Sequence, residues 1–158
     1  MRPRYVVTTC GNAKHPGPAP ADVFYTGSFV KMQGKAARAL NPTGGQLVLS
    51  SKYGFMRADH IIPGPYNMRW GYPGAITEEE MIGQVSQLPL LPGDVVVALG
   101  GFEYARQTRK AFPDSVDVVW PAKHLPNRAM GHQNRLHLSI AKYGLPSRCL
   151  RECVLTEV

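Results

Sequence analysis

Four short runs of apolar residues, rich in β-branched side chains, recur along the chain, and each is bounded by Gly, Pro or Asn. They cover residues 5–9, 46–50, 94–99 and 116–120. Continuous apolar runs of this length are typical of strands that are covered on both faces, as in a parallel sheet. The pattern therefore predicts four buried β-strands.

Helical patterns lie between these strands. Over residues 27–40 apolar side chains recur at steps of three and four, and Asn41-Pro42 ends the helix. Thr77 and Glu80 form a capping-box start, and Pro89 closes the helix that follows. Residues 102–112 and about 127–143 are the other helix candidates. The alternation predicts an α/β fold, with a mostly parallel sheet of about four to five strands and helices on both faces, in a single domain over residues 1–158.

Length and apolar content restrict the class of protein. The chain has 158 residues, which suits one domain with a single core. Its apolar runs are far shorter than the roughly 20 residues that a membrane span needs. The N-terminus MRPRYVV lacks the apolar region of a signal peptide. We therefore expect a cytoplasmic protein without a membrane partner.

The cysteines do not form a recognisable metal or disulfide pattern. There are three, at no zinc-finger spacing. Cys149 and Cys153 lie four residues apart and could share a metal with His132 or His137, but reduced thiols are the more common interpretation. We expect neither a metal nor another cofactor.

A positive charge points to an anionic partner. The formal net charge is +7 and the pI is near 9.5, with the excess of Lys and Arg spread through the second half of the chain. A nucleic acid or a phosphorylated small molecule such as a nucleotide is the natural counterpart, and a basic solubilising surface is the alternative. The sequence does not indicate an oligomeric state.

Polar or small residues follow each predicted strand. They form the segments CGNAK (10–14), SSKYG (50–54), GGFEY (100–104) and PAKH (121–124). In open parallel sheets, ligands bind beyond the carboxyl ends of the strands, because loops and helix N-termini meet there. We expect a site at this edge of the sheet.

Four of these residues are candidates for catalysis. Cys10 could be a nucleophile activated by Lys14 or by neighbouring amides, or a small apolar residue at a strand end. Ser50 and Lys52 would point the same way if the strand continued, as a Ser-Lys pair or a phosphate clamp, unless Lys52 is solvated. Glu103 could be a general base or a stabiliser of a cationic transition state, or it could simply favour the helix dipole.

The Gly-rich turn and the aromatic segment offer binding groups. Gly100 and Gly101 precede a helix whose N-terminal amides could hold a phosphate, although a glycine pair is also an ordinary tight turn. After residue 54 the chain continues as a loop of about 20 residues, which is uncommon in compact domains unless it is functional or disordered. Its aromatic side chains could stack on a base and its polar ones could bind the edge of that base, or the loop could pack on the core. These residues are Tyr66, Trp70 and Tyr72, with Asp59, Asn67 and Arg69.

The run LSSKYGFMRADHIIPGPYNMRWG resembles the signature of the YaaA peroxide-stress protein family, which has Leu-Ser-x-x-Tyr-Gly, then Asp, then Pro-Tyr-x-x-Met. The matching positions are Ser50, Tyr53, Gly54, Asp59, Pro65, Tyr66 and Met68, with the Met one residue earlier than in that family. FYTG (24–27) and ALGGFEY, which contains Glu103 and Tyr104, resemble two further blocks. This resemblance implies DNA binding and limitation of oxidative DNA damage.

A closer likeness is to a poorly characterised bacterial and phage family, which has a Cys and a Lys after the first strand, a Pro-Ala-x-x-x-Tyr segment and Ser-Ala-Lys-His/Tyr-Gly. The corresponding residues are Cys10, Lys14, Pro20, Ala21, Tyr25, Ser50, Lys52, Tyr53 and Gly54. One of these blocks is faintly similar to the core of archaeosine synthase, which modifies a base in transfer RNA. These likenesses imply a site that handles a nucleobase or nucleotide, as in phage-type base modification.

Three functions are compatible with these observations. The first is an enzyme that acts on a nucleobase, nucleotide or nucleic acid, by cleavage of the glycosidic bond or by modification of the base. Its candidate catalytic residues are Glu103, Lys52, Ser50 and Cys10, and its candidate substrate-binding residues are Asn12, Lys14, Tyr25, Tyr53, Gly54, Asp59, Tyr66, Gly100, Gly101 and Tyr104. The second is a non-catalytic DNA- or RNA-binding protein related to DNA-damage protection, and the third is an accessory protein that only shares the fold.

Overall fold

The structure, a computed structural model, describes residues 1–156. Its strands are β1 (Tyr5–Thr9), β2 (Ala19–Pro20), β3 (Gln46–Ser50), β4 (Gly54–Arg57), β5 (Ile61–Ile62), β6 (Val95–Ala98) and β7 (Asp117–Val119). Its helices are α1 (Ala21–Phe24), α2 (Ser28–Leu40), α3 (Glu78–Ser86), α4 (Phe102–Ala111), α5 (Met130–Tyr143) and α6 (Cys149–Glu152), with a 3-10 turn at Pro121–His124.

Five strands form the main sheet, in the order β4-β3-β1-β6-β7. The strands β3, β1, β6 and β7 are parallel, and β4 is antiparallel to β3 at one edge. The α/β class and the mostly parallel sheet are therefore confirmed. The chain leaves β1 towards β3 on one side and leaves β6 towards β7 on the other, so the order reverses between β1 and β6. Ligand sites in such sheets lie outside the carboxyl ends of the strands at this point.

Helices cover both faces of the sheet, as predicted. The helices α3 and α4 bury Met81 and Ala105 against the face that carries Val7 and Val96. On the other face α2 and α5 pack on each other, and a core that contains Val6 and Val97 lies beneath them. Because both faces are buried, the strands are continuously apolar instead of alternating.

The capping box that the sequence predicts is present. Thr77 Oγ1 accepts a hydrogen bond from the amide of Glu80, and the Glu80 carboxylate accepts one from the amide of Thr77. These bonds satisfy amides that the first turn of a helix leaves free. The helix α3 therefore starts where the sequence places it, at Glu78.

The prediction of one long loop after residue 54 is wrong in its first part. Residues 54–57 form β4, which pairs with β3 through a tight turn, and Ile61–Ile62 pairs with β2. Short edge strands of this kind carry a weak periodic signal, because few of their residues are buried. The irregular part is residues 63–76, which we name the aromatic loop.

No helix within residues 1–156 is long and apolar enough to cross a membrane.

Candidate functional site

A cavity of about 360 Å³ lies at the carboxyl end of the sheet. Its walls come from the loop after β1, from the β3–β4 turn, from the aromatic loop and from the first turn of α4. The lining residues are Cys10, Gly11, Asn12, Lys14, Ser51, Tyr66, Asn67, Met68, Arg69, Trp70 and Tyr104. Segments that are far apart in sequence thus meet where the sheet topology predicts a ligand.

A thiol and a phenol are in contact within this cavity. Cys10 Sγ lies 3.0 Å from the Tyr104 hydroxyl oxygen, and Tyr104 belongs to the first turn of α4. Burial, and then the neighbouring Cys10, raise the pKa of Tyr104 above its usual value. The hydroxyl therefore stays protonated at neutral pH and can donate a hydrogen bond to sulfur or to a ligand.

A buried glutamine holds the end of β1 in place. Gln33 on α2 accepts a hydrogen bond from the Thr9 amide (2.9 Å) and donates one to the Thr9 hydroxyl (2.9 Å). Both residues are buried. Because Thr9 precedes Cys10, this pair of bonds fixes the direction in which the chain enters the cavity.

The Gly100 peptide is held from two sides. Its amide donates to His137 Nε2 (3.4 Å), and its carbonyl accepts from the Trp120 indole N–H (2.9 Å). Gly100 has φ +87°, and a Cβ there would lie 2.6 Å from the Thr9 methyl group. Only glycine fits this left-handed, crowded position without strain. The start of α4, and with it Tyr104, is positioned by this clamp.

Three hydroxyl groups form a chain at the wall of the cavity. Ser50 Oγ accepts hydrogen bonds from the backbone amides of Lys52 (3.1 Å) and Tyr53 (3.2 Å). Because these two bonds occupy both lone pairs of the oxygen, the Ser50 hydroxyl donates its own proton to the Tyr66 hydroxyl oxygen (2.6 Å). Tyr25 is 1% exposed, and its hydroxyl group forms a hydrogen bond with the hydroxyl group of Tyr66. We assign Tyr25 as a second donor to Tyr66 on this basis.

Tyr66 therefore accepts two hydrogen bonds and keeps its own proton for a ligand. Burial raises the pKa of Tyr66 to about 12, although the bonds from Ser50 and Tyr25 work in the opposite direction. Burial is also the main cause that raises the pKa of Tyr25. Both phenols are neutral donors at physiological pH, not bases.

Two ammonium groups converge on the Tyr66 ring. Lys14 Nζ lies 5.0 Å from the ring centroid and Lys52 Nζ lies 5.3 Å from it, both within the range of cation–π contacts. The ion pairs found within residues 1–156 join other residues, namely Arg4 to Asp94 and Arg106 to Glu103. Two like charges near one ring without a carboxylate make this wall of the cavity attractive to an anion.

The aromatic loop is attached to the cavity at defined points. Ser51 Oγ donates to the carbonyl of Met68 (3.1 Å), and the Trp70 ring packs edge-on against Tyr104 at 5.6 Å between centroids. Tyr66 packs in the same way against Tyr53 (5.2 Å). Tyr72 is 57% exposed. The loop therefore covers one side of the cavity with Tyr66 and Trp70 while Tyr72 points to solvent.

The structure brings nine of the fourteen predicted site residues together. Cys10, Asn12, Lys14, Tyr66 and Tyr104 line the cavity. Tyr25, Ser50, Lys52 and Tyr53 contact Tyr66. Gly54, Asp59, Gly100, Gly101 and Glu103 do not line it.

Glu103 lies outside the cavity. Its carboxylate accepts hydrogen bonds from Gln107 (2.8 Å) and Arg106 (3.2 Å) of its own helix, and its side chain is 44% exposed. It borders a separate depression beside Trp70. These contacts are those of a surface residue on the first turns of a helix.

Two other predicted site residues, Asp59 and Gly54, also lie outside the cavity and make different contacts. Asp59 is exposed in the turn after β4, beside Tyr53 and His60. Gly54 has φ +73°, and a Cβ there would lie 2.2 Å from Gln84 Oε1. Gln84 binds the backbone on both sides of this glycine, so Gly54 allows the β3–β4 turn to approach α3.

Ser50 and Lys52 do not form the pair that a continued strand would give. The strand ends at Ser50, and the hydroxyl of this fully buried residue binds the backbone of the turn, whereas the Lys52 ammonium is exposed near Tyr66. Ser50 thus orients the tyrosine, and Lys52 offers its charge at the rim.

Sequence reasoning missed the roles of Ser51, Gln33 and His137, although Ser51 lies in the SSKYG segment and His137 was considered as a metal ligand. A signal for Gln33 exists, because it is a polar residue on the apolar stripe of α2. His137 is similarly on the buried side of α5, where burial lowers its pKa to about 4. Nothing in the sequence distinguishes Ser51 from its neighbours.

The imagined metal ligands do not converge. Cys149 and Cys153 lie with their sulfur atoms 3.5 Å apart beside β7, and His137 lies at the Gly100 peptide. Within residues 1–156 no group of three or more His, Cys, Asp or Glu residues is arranged to hold a metal ion.

The chain is similar to a Bacillus subtilis (strain 168) protein named Uncharacterized protein YfjM. The two are 25% identical over 126 residues, which is 75% of this chain and 83% of YfjM. This similarity agrees with the likeness to a poorly characterised bacterial family, and it does not extend to YaaA or archaeosine synthase. No family model matches the chain, and no solved structure matches it.

Proposed function

We propose that this protein is an enzyme that binds a nucleotide unit in the cavity and acts on its base, by modification of the base or cleavage of the glycosidic bond. The observation that supports this proposal most directly is the pair of ammonium groups, Lys14 and Lys52, on the Tyr66 ring beside a cavity that contains a thiol. Cationic groups that can bind an anion and a nucleophilic thiol thus lie within one small space.

The cavity suits a ligand with an aromatic ring and a phosphate. Its volume lies near the lower end of the range of about 300–1,000 Å³ that small-molecule sites occupy. Lys14, Lys52 and Arg69 provide positive charge for the phosphate, and Tyr66 and Trp70 provide aromatic surface for the base. The free proton of Tyr66 supplies a hydrogen bond that fixes the orientation of the ligand.

Cys10 is the nucleophile in this proposal. Its sulfur adds to an electrophilic ring carbon of the base: the S–C bond forms, the electron pair of the C=N bond moves to the ring nitrogen, and the thiol proton reaches that nitrogen through the Tyr104 hydroxyl. Tyr104 passes on one proton while it receives another, which suits a phenol whose pKa is raised by burial. Lys52 binds phosphate, and Ser50 orients Tyr66.

The proposal is tested by incubation of the protein with the common nucleoside monophosphates and with a mixed-sequence single-stranded oligonucleotide. Mass spectrometry then detects a free base, an altered base or a protein adduct. We expect Cys10→Ala to abolish turnover while nucleotide binding remains, and Lys52→Ala to weaken binding. Glu103→Gln is the matched control outside the cavity and should keep both properties.

The outcomes separate the candidate functions. Loss of turnover in Glu103→Gln with turnover retained in Cys10→Ala would return the catalytic role to Glu103. Nucleic-acid binding without turnover of any substrate would support the non-catalytic binding protein. The observation that supports this alternative is the net charge of +7, which attracts nucleic acid of any sequence.

A further inference from the structure

The two helical layers of the protein differ in charge. The pair α2 and α5 carries five cations, Lys31, Lys35, Arg38, Arg135 and Lys142, and no acidic residue. The pair α3 and α4 carries four acidic residues and three basic ones. We name the five cations of the first pair the α2–α5 surface.

All five cations of the α2–α5 surface are exposed. Each helix buries its opposite side, with Ala37 of α2 and Ile140 of α5 in the core. Lys31, Lys35 and Arg38 follow one another at steps of four and three, so they share one face of α2 at rises of about 6 and 4.5 Å.

These cations have no acidic neighbours in sequence. No Asp or Glu occurs between Asp22 and Asp59, or between Asp117 and Glu152. Like charges at helical steps of three and four destabilise a helix slightly. Because no acidic residue nearby in sequence offsets this repulsion, an anion from outside the chain that binds to the row would relieve it.

The row on α2 begins beside the cavity. Val30 lies against the cavity loop, because a Cβ on Gly11 would be 3.1 Å from Val30 Cγ2. Lys31 is the next residue, and Lys35 and Arg38 lead away from the cavity along the helix. A polymer that enters the cavity with one unit can thus continue along this row.

We infer that the α2–α5 surface binds the sugar-phosphate backbone of a single-stranded polynucleotide, one base of which occupies the cavity. This inference rests on the proposed function for the occupant of the cavity, and it names a polynucleotide as the substrate class. A row of separate cations suits a chain of phosphates, whereas a single phosphate is already served by Lys14 and Lys52. The cavity has room for one nucleotide, so the base must be unpaired.

A nucleic acid fits the row of cations on α2 better than a lipid membrane does. Helices that bind membranes place large apolar side chains beside their cations, so that these side chains insert into the bilayer. None of the large apolar side chains that are exposed within residues 1–156 lies on α2, whereas α5 exposes Met130, Leu138 and Tyr143. The row of cations on α2 therefore lacks the apolar anchors of a membrane-binding helix.

The test compares two double variants that remove the same charge at the same helical spacing. Lys31→Gln/Lys35→Gln changes α2, and Arg106→Gln/Lys110→Gln is the control on α4. Fluorescence anisotropy measures binding of a labelled mixed-sequence single-stranded oligonucleotide by the full chain over a series of salt concentrations. Thermal melting of both variants verifies that they are folded.

We expect the α2 variant to bind about tenfold more weakly at low salt, and its slope of log K against log[salt] to be smaller by about 1.4, as for two lost phosphate contacts on a single strand. The α4 control should change affinity less than about twofold. Equal losses in the two variants, or an affinity that does not depend on salt, would overturn the inference. So would binding to phosphatidylserine vesicles that the α2 variant loses while its oligonucleotide affinity is unchanged.

Failure of this inference can be distinguished from failure of the proposed function. Binding of a free nucleoside monophosphate depends on the cavity, so Lys14→Gln should weaken it and the α2 double variant should not. If mononucleotides bind in the cavity and oligonucleotides bind no more tightly than mononucleotides do, the inference of a polynucleotide substrate is wrong and the proposed function of the cavity still holds. If oligonucleotide binding requires Lys31 and Lys35 but is unaffected by Lys14→Gln, the placement of a base in the cavity is wrong.

Discussion

The cavity and the α2–α5 surface hold positive charge in different ways. In the cavity, Lys14 and Lys52 converge on Tyr66, which is itself fixed by hydrogen bonds from Ser50 and Tyr25. On the surface, each cation is exposed and is separated from the next by at least three residues of helix or by the gap between two helices. The first arrangement suits one small ligand in one orientation, and the second suits a long polyanion.

This difference has a physical consequence for mutations. Groups in contact influence each other, so changes in or beneath the cavity should be large, local and non-additive. Exposed charges act at a distance through solvent, so changes on the surface should be small, additive and reduced by salt. Each of the following predictions tests one side of this contrast against the other.

The largest effect is expected at the glycine clamp beneath the cavity. Gly100→Ala forces a left-handed φ of +87° on a residue with a Cβ and places that Cβ 2.6 Å from Thr9. The cost should be about 3 kcal/mol of the free energy of unfolding. Urea denaturation measures it. Gly131→Ala, at an open position on α5, is the control and should be neutral or slightly stabilising; comparable losses at both glycines would contradict the contrast.

The next effect concerns the buried side of α5. Burial lowers the pKa of His137 to about 4, below its ordinary value near 6.5. Above pH 6.5 this histidine is neutral in both states, and between pH 6.5 and 4 the unfolded chain binds the proton more readily. Stability should therefore fall as the pH decreases through this window, by up to about 3 kcal/mol.

Denaturation at pH 7.5, 6 and 5 tests this dependence on pH. The variant His137→Asn should lose the contribution, so that its curve is flatter than that of the wild type. His132→Asn, on the exposed side of the same helix, is the control for the substitution itself and should leave the stability at pH 7.5 unchanged. A His137→Asn variant with an unchanged slope would show that this histidine does not titrate differently on folding.

A moderate effect is expected from the hydroxyl chain. Tyr66→Phe leaves the buried hydroxyls of Ser50 and Tyr25 without the acceptor that they share. We expect a loss of about 1–3 kcal/mol in unfolding free energy, together with weaker nucleotide binding. Tyr72→Phe, on the exposed part of the aromatic loop, is the matched control and should affect neither. Equal stability of the two variants would mean that the chain of hydroxyls is not maintained in solution.

The smallest effect tests additivity directly. In a double-mutant cycle with a bound nucleoside monophosphate, Lys14→Gln and Lys52→Gln should show a coupling energy of about 0.5–1 kcal/mol, because both ammonium groups face one ring. In a cycle with an oligonucleotide, Lys31→Gln and Arg135→Gln should be additive. Isothermal titration calorimetry measures both cycles. If the effects of the two lysine substitutions in the cavity were additive, or those of the two substitutions on the surface were coupled, the contrast between the cavity and the α2–α5 surface would be wrong.

Much of the architecture could be predicted from the sequence. The strands 5–9 and 46–50 coincide with β1 and β3, and those at 94–99 and 116–120 are longer than β6 and β7 by one residue at each end. This accuracy has a simple reason: a strand buried on both faces must be apolar throughout its length. The edge strand β4 was missed because it is half exposed and carries no such pattern.

The sequence predicted the location of the candidate site and only part of its composition. The rule that ligands bind at the carboxyl ends of parallel strands located the residues from Cys10 to Lys14. It also selected the segment that contains Glu103 and Tyr104, both in the first turn of α4, and the sequence analysis then gave the candidate catalytic role to Glu103 and a binding role to Tyr104. Neighbouring helical residues point about 100° apart, so the rotation of α4 about its axis decides which of them faces the cavity.

The amino-acid sequence by itself determined the four parallel strands, the four longer helices and their order along the chain, because periodic burial and capping act over a few residues. Tertiary structure alone decided which side chains meet. Cys10 and Tyr104 are 94 residues apart in the chain and their contact depends on how α4 packs on the sheet, which the Gly100 clamp controls. The separation of charge between the two helical layers was likewise present in the sequence, but it became a surface only when α2 and α5 packed side by side.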